Sequence, residues 1–352
     1  MTQPARTMMH SPSDASGSGA DRLSAGADAE YDAGSATPMP PPPKLKTSPY
    51  YSTRLGAAYL GDSRDLIKQV PDASVQAIIT SPPYALRAKK KYGNASQDEY
   101  VEWFLGFVDD FVRVLKPDGS LVIEIGGAWN KGSPTRSIYL FELLVELVKR
   151  KKLHLAQDFY WLNKARMPSP AEWVTVQRIR VKDAVTPIWW LSPSPKPKAS
   201  NRAVLKPYSA AQKKLFERGY NGGKRPSGHV ARKFENDNGG AIPANVVDTR
   251  AERKLLPENL MEVAHTAARD NYQQYCRDNK LDAHPARFPR DVPEFFVRFL
   301  TEPGDVVLDP FAGSNMTGAV AEAHGRRWLG FEKDENYLKG SRGRFLEAHS
   351  KP

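Results

Sequence analysis

Two short segments of the chain carry residue types that can do chemistry, and they lie more than 200 positions apart. The first is "TSPPY", Thr80 to Tyr84, at the end of the apolar run "SVQAII". Pro82 and Pro83 fix their own backbone angles and lack N–H donors, which leaves the carbonyls of Ser81 and Pro82 to accept from a ligand. A rigid pair of acceptors beside a ring suits a flat amine. The exocyclic amino group of a nucleobase would donate to those oxygens while Tyr84 stacks on the base. Read alone, the segment also fits an ordinary strand-ending turn.

The second segment is "VVLDPFAGSNMTGAVAEA". A buried strand ends at Asp309, and the glycines beyond it let the backbone turn sharply into a helix whose unpaired N–H groups are electropositive. An acid at the strand tip, small hydroxyl and amide residues in the turn, and a second acid, Glu332, closing the next strand add to the glycines. An acid in that last position reaches ribose hydroxyls in nucleoside-binding α/β folds. The turn lacks the Gly-Lys-Ser/Thr of a P-loop, which disfavours triphosphate hydrolysis.

Both segments need strands and helices to hold them. "SVQAIIT" reads as a buried strand. Residues Tyr100, Trp103, Phe104, Phe107, Val108, Phe111 and Leu115 recur at helical spacing, closed by Lys-Pro-Asp-Gly. "SLVIEIGG" is an apolar strand broken by one acid, Glu124, and a helix near 138–150 and the strand "LAQDFYWL" follow. The alternation returns in "RDVPEFFVRFL", "DVVLDPF", "MTGAVAEAH", "RRWLGFE" and a last helix from about Asp334. This is the pattern of an α/β fold. Residues 1–46, rich in Ser, Ala, Gly, Asp and Pro, read as a disordered leader. From there the boundaries fall at 47–162 for a first α/β half, 163–266 for an irregular basic middle, and 267–352 for a second α/β half.

Composition narrows the function classes. The chain has 352 residues, 40% of them hydrophobic, enough for a real core and too many for a disulfide scaffold. Cys276 is the only cysteine, so internal disulfides and Cys-rich metal clusters are excluded. Its polar neighbours read as those of a bystander. No apolar run approaches the roughly 18 residues of a membrane span, and a cytoplasmic protein is expected. The net charge of +11 favours a polyanionic partner. Residues 163–266 hold about twice as many Lys and Arg as Asp and Glu, so most of that charge sits in the middle.

Taken in this order, "TSPPY" and "DPFAGSNMTG" resemble the β class of S-adenosylmethionine-dependent DNA amino-methyltransferases, in which the catalytic motif precedes the cofactor motif. The serine form resembles the cytosine-N(4) enzymes of restriction–modification systems, whereas adenine enzymes more often carry Asp or Asn before Pro-Pro. The likeness runs from about Leu60 to Phe345 through "LGDSRDLI", "MPSPAEWVTVQRIRVKDAV", "AHPARFP" and "RRWLGFEKDENY".

The resemblance implies a Rossmann-like methyltransferase fold with a mixed, mostly parallel sheet, permuted motifs and an inserted basic target-recognition region. It implies that Asp309, Phe311, Ala312, Gly313, Ser314 and Asn315 hold the methionine moiety of S-adenosylmethionine, that Glu332 holds its ribose, and that His284 to Pro289, including Phe288, close over it. Ser81, Pro82, Pro83 and Tyr84 would receive a cytosine flipped out of double-stranded DNA, with Glu124 polarising Ser81. Glu is longer than the usual Asp there. Arg87, Lys89, Lys90 and Lys91 would hold phosphates, and Arg178, Arg180, Lys182, Arg225, His229 and Arg232 are candidates for reading sequence. A monomer or homodimer, with or without a cognate endonuclease, fits the resemblance. The rival readings are adenine-N(6) methylation, RNA methylation, and a non-catalytic DNA-binding protein.

Overall fold

The structure, a computed structural model, describes residues 40–85, 95–218, 237–248 and 271–346. In chain order its elements are β1 (Tyr51–Ser52), β2 (Gly56–Leu60), α1 (Ser63–Leu66), β3 (Val75–Thr80), α2 (Tyr100–Val114), β4 (Leu115–Glu124), α3 (Tyr139–Lys149), β5 (His154–Leu162) and β6 (Val185–Ser192). They continue with α4 (Ala210–Arg218), β7 (Val246–Asp248), α5 (Asn271–Asp278), α6 (Asp291–Leu300), β8 (Val306–Asp309), α7 (Met316–Ala323), β9 (Arg327–Glu332) and α8 (Glu335–Ser341).

The nine strands form one sheet in the order β1-β2-β9-β8-β3-β4-β6-β5-β7. From β2 to β4 all neighbours are parallel. β6 pairs antiparallel with both β4 and β5. The sheet is therefore mixed and mostly parallel. Central parallel strands are covered on both faces, which is why β3 and β8 are apolar without alternation.

One face is covered by α1, α2 and α3 around Phe104, Phe111, Leu143 and Leu147. The other is covered by α6, α7 and α8 around Phe296, Val320 and Leu338. The connection from β3 to β4 crosses on the first face through α2, and that from β8 to β9 crosses on the second through α7. Between β8 and β3 the chain thus diverges in opposite directions, the switch point at which open α/β sheets place their ligand cleft.

Two features depart from the sequence reading. The middle segment is not wholly irregular, because β6 lies inside the sheet. Trp189 and Trp190 point to opposite faces and are both buried, one in each core layer. Contact with the fold also begins before residue 47. Leu45 packs on the first core layer, and the Pro41 carbonyl accepts from Arg327. Among the described residues no helix is long and apolar enough to cross a membrane.

Candidate active site

The strand ends at the switch point bring both chemical segments into one cleft of about 1040 Å³, open to solvent. Its lining includes Ser81, Pro82, Pro83, Tyr84, His284, Phe288, Asp309, Phe311, Ala312, Gly313, Ser314 and Glu332. β3 and β4 run in register, Thr80 beside Ile123, so Ser81 and Glu124 emerge side by side.

Glu124 is the centre of the first half. The Ser81 hydroxyl donates to its Oε2 at 2.5 Å, and the Tyr84 hydroxyl lies 2.6 Å from each carboxylate oxygen. Glu124 is 1% exposed. Burial raises its pKa, and the hydrogen bonds from Ser81 and Tyr84 and the charge of Arg166 oppose that rise. Burial, reinforced by the nearby carboxylate, pushes the Tyr84 phenol well up and keeps it protonated. The ring packs against Gly126, where a Cβ would come within 2.5 Å of it, so the glycine is what lets Tyr84 reach the acid.

The second half is built around Asp309 and Glu332. Asp309 accepts from Thr80 Oγ1 at 2.7 Å, Thr317 Oγ1 at 2.8 Å and the Phe311 amide at 3.1 Å. Burial pushes its pKa up to about 6 despite those donors. Glu332 accepts from the Gly313 amide at 2.9 Å and the Asp334 amide at 2.8 Å, and burial raises it too. Gly313 has φ +50°, and a Cβ there would stand 3.1 Å from His284 Nε2. Burial lowers the His284 pKa, so a neutral ring caps the turn. Phe311 packs edge-on against Phe107 at 5.2 Å and tilted against Trp103 at 5.9 Å, giving the cleft an aromatic wall.

Several residues named from sequence stand elsewhere. Asn315 is fully buried and absent from the cleft lining. Its side chain caps α7 by accepting from the Gly318 amide and donates to Tyr51 Oη, because a left-handed Asn at φ +54° turns it towards the helix. Pro289 starts the turn into α6 and does not line the cleft. Tyr84 presents its hydroxyl to Glu124 as well as its ring to the cleft. Arg180 donates to the Pro134 carbonyl and stacks 3.8 Å from the Trp129 ring centroid, and Lys182 donates to the Lys164 carbonyl at 2.9 Å. Arg178 is exposed. Arg87, Lys89, Lys90, Lys91, Arg225, His229 and Arg232 lie outside the described residues.

Sequence reasoning missed other lining residues. Asp62, Ser63 and Arg64 enter from the start of α1, where Asp62 caps the helix and the Ser63 hydroxyl donates to the Pro310 carbonyl. The signal was the Asx-cap in "GDSRDL". Thr80 and Thr317, which orient Asp309, carry no sequence signal beyond their type.

Residues 75–342 match the model of the N6/N4 DNA methylase family. Over 303 residues the chain is 46% identical to the type II methyltransferase M.PvuII of Proteus hauseri, spanning 85% of this chain and 86% of that protein. It is 28% identical over 300 residues to M.BamHI of Bacillus amyloliquefaciens, spanning 81% of this chain and 56% of that one. The solved structure of the PvuII DNA methyltransferase (cytosine-N4-specific) superposes with a TM-score of 0.67 at 39% identity, covering 88% of this chain and 92% of the other. With its α/β sheet and its cleft at the strand switch point, the chain belongs to the DNA methylase family and is an S-adenosylmethionine-dependent DNA methyltransferase.

Proposed function

We propose that this enzyme methylates the 4-amino nitrogen of a cytosine flipped out of double-stranded DNA, within a type II restriction–modification setting. The observation that carries the reading is the Ser81–Glu124–Tyr84 cluster, set beside the Asp309–Glu332 turn in one cleft. The name of M.PvuII's solved structure, cytosine-N4-specific, supports the choice of base. A cognate endonuclease cutting the unmodified site, and action as a monomer or homodimer, are part of the same proposal.

The cleft's chemistry fits S-adenosylmethionine. Two buried acids on its floor favour a cationic ligand, the Phe311–Phe107–Trp103 wall suits a planar ring, and Gly313 leaves room under His284. Glu332 would hold ribose hydroxyls, while Phe311, Ala312, Gly313 and Ser314 would hold the methionine part. Bound there, the cofactor supplies an electrophilic methyl group.

The rest is done by the chain's own residues. Cytosine's amino nitrogen is a weak nucleophile because its lone pair is delocalised into the ring. The Ser81 hydroxyl spends its proton on Glu124, so its lone pairs can take one amino hydrogen while the Pro82 carbonyl takes the other. Both contacts favour a tetrahedral nitrogen with its lone pair available. As the nitrogen is alkylated it sheds one proton to Ser81 Oγ, whose own proton passes to Glu124. Tyr84 steadies the carboxylate and offers a face to the base. Exposed basic residues such as Arg178, with those outside the described residues, would grip the duplex.

Incubating the purified protein with tritiated S-adenosylmethionine and unmethylated genomic DNA should put label into 4-methylcytosine after nucleoside digestion. Label confined to 6-methyladenine would overturn the choice of base. DNA binding without label would overturn the catalytic reading.

A further inference from the structure

Glu124 must be ionised to receive a proton, yet it is buried, and the groups that feel its charge from the surrounding elements are mostly neutral. Tyr84 comes from the β3 turn, Tyr100 from α2 and Tyr139 from α3, and burial holds all three phenols protonated. Ser81 and Tyr84 hydrogen-bond the carboxylate but bring no charge. None of these groups brings the cation that would hold the carboxylate ionised.

The strand register supplies one. Glu124 lies directly across from Ile188 on β6, and Ile188 lies across from Phe159 on β5. Two residues along β6, Thr186 lies across from Trp161. Directly paired residues share a face, as do residues two apart in a strand, so Glu124, Ile188 and Thr186 point the same way. Arg166, in the segment after β5, donates to the buried Thr186 Oγ1 at 2.6 Å and to the Val185 carbonyl at 3.5 Å, with its guanidinium 6.0 Å from the Trp161 ring centroid. Its head group is thereby pinned at the start of β6, diagonal in register to Glu124. Among the described residues it is the charged side chain that acts on both Glu124 and Tyr84.

We propose that Arg166 is a positioning residue for the methyl transfer: anchored on Thr186, it holds Glu124 ionised so that the carboxylate can take the proton shed through Ser81. Arg166 is half-buried and fixed from three sides, so it acts on Glu124 through space and does not need to touch DNA. This inference rests on the proton route proposed above.

The test uses the full-length protein without cofactor or DNA, labelled with ¹³C at the glutamate carboxyl carbon. The Glu124 resonance is identified by its loss in Glu124→Gln and is titrated by NMR. In Arg166→Gln, which keeps an amide donor for Thr186 but removes the charge, the midpoint should rise by about one pH unit. Arg166→Lys should restore it. The acid limb of kcat should move with the NMR midpoint while KM for S-adenosylmethionine stays within about twofold. An unmoved midpoint in Arg166→Gln, or a shift that Arg166→Lys does not reverse, overturns the inference. If the wild type places no label in cytosine, the proposed function fails whatever the titration shows. If it labels cytosine and the midpoint does not move, the role of Arg166 fails alone.

Discussion

The ends of β3 and β8 lie next to each other in the sheet, and each holds a buried acid close by, but the two acids are satisfied in opposite ways. Asp309, at the tip of β8, receives its hydrogen bonds from Thr80, Thr317 and the Phe311 amide. Of those donors Thr80 stands behind the cleft, while Thr317 and Phe311 belong to its glycine-turn side. Glu124, beside the tip of β3, receives its hydrogen bonds from Ser81 and Tyr84, both of which line the cleft. One acid braces a turn, and the other is wired to the groups that would meet the base. The difference teaches that burial of a carboxylate says little about its work. What matters is which of the two turns its donors belong to.

The sharpest way to test this contrast is to remove the wiring. Ser81→Ala and Glu124→Gln should each lower kcat by about 10²- to 10⁴-fold while the Kd for S-adenosylmethionine, read by calorimetry, changes by less than about threefold. Comparable losses in both quantities would make the β3 turn a brace like its neighbour.

The brace predicts a pH signature instead. Asp309 ionises at about 6 in the fold, against 3.8 for an ordinary aspartate. Below the lower value both folded and unfolded states are protonated. As pH rises through it the unfolded chain ionises first and is favoured, so the stability held by the protonated acid is lost, completely once pH passes the folded value. Relative to Asp309→Asn, the wild type should therefore lose roughly 3 kcal/mol of unfolding free energy between pH 3.5 and pH 7. Urea melts of the two proteins at both pH values check the sign and the size. A constant difference would mean that Asp309 ionises in the fold at its ordinary value.

A smaller effect is expected at the apex of the cofactor turn. Gly313→Ala adds a methyl group to a left-handed residue and presses it towards His284, at a cost of about 1–2 kcal/mol. The Kd for S-adenosylmethionine should weaken by about tenfold with kcat at saturating cofactor nearly unchanged. An equal fall in kcat would show that the two turns are not separable.

How much of this could be read from the chain alone depends on what each feature rests on. Strands β3, β4, β8 and β9 and helix α2 were legible because their apolar runs and helical spacing report burial directly. So was the pairing of the two turns, since a Pro-Pro segment that alone fits an ordinary turn gains meaning beside a glycine turn at another strand end of the same domain. β6 was hidden because "VTPIWWLS" contains a proline and sits among basic and proline-rich stretches, and its burial comes from partners far along the chain. Asn315 shows the other limit. Sequence reveals that an amide stands in the turn, whereas its direction follows from a backbone angle of φ +54°. Likewise Glu124 was visible as a lone acid in an apolar strand, but its second donor, the Tyr84 hydroxyl, depends on Gly126 leaving space for the ring.

The bond from Thr80 to Asp309 spans 229 residues of sequence and joins the last residues of two neighbouring strands. Strands in a sheet stand about 4.8 Å apart. The spacing of the two turns, one to hold a base and the other the methyl donor, therefore starts from the pitch of the sheet. Any replacement for the segment between β5 and β7 would therefore have to supply both a strand that pairs where β6 pairs with β4 and a cation placed as Arg166 is.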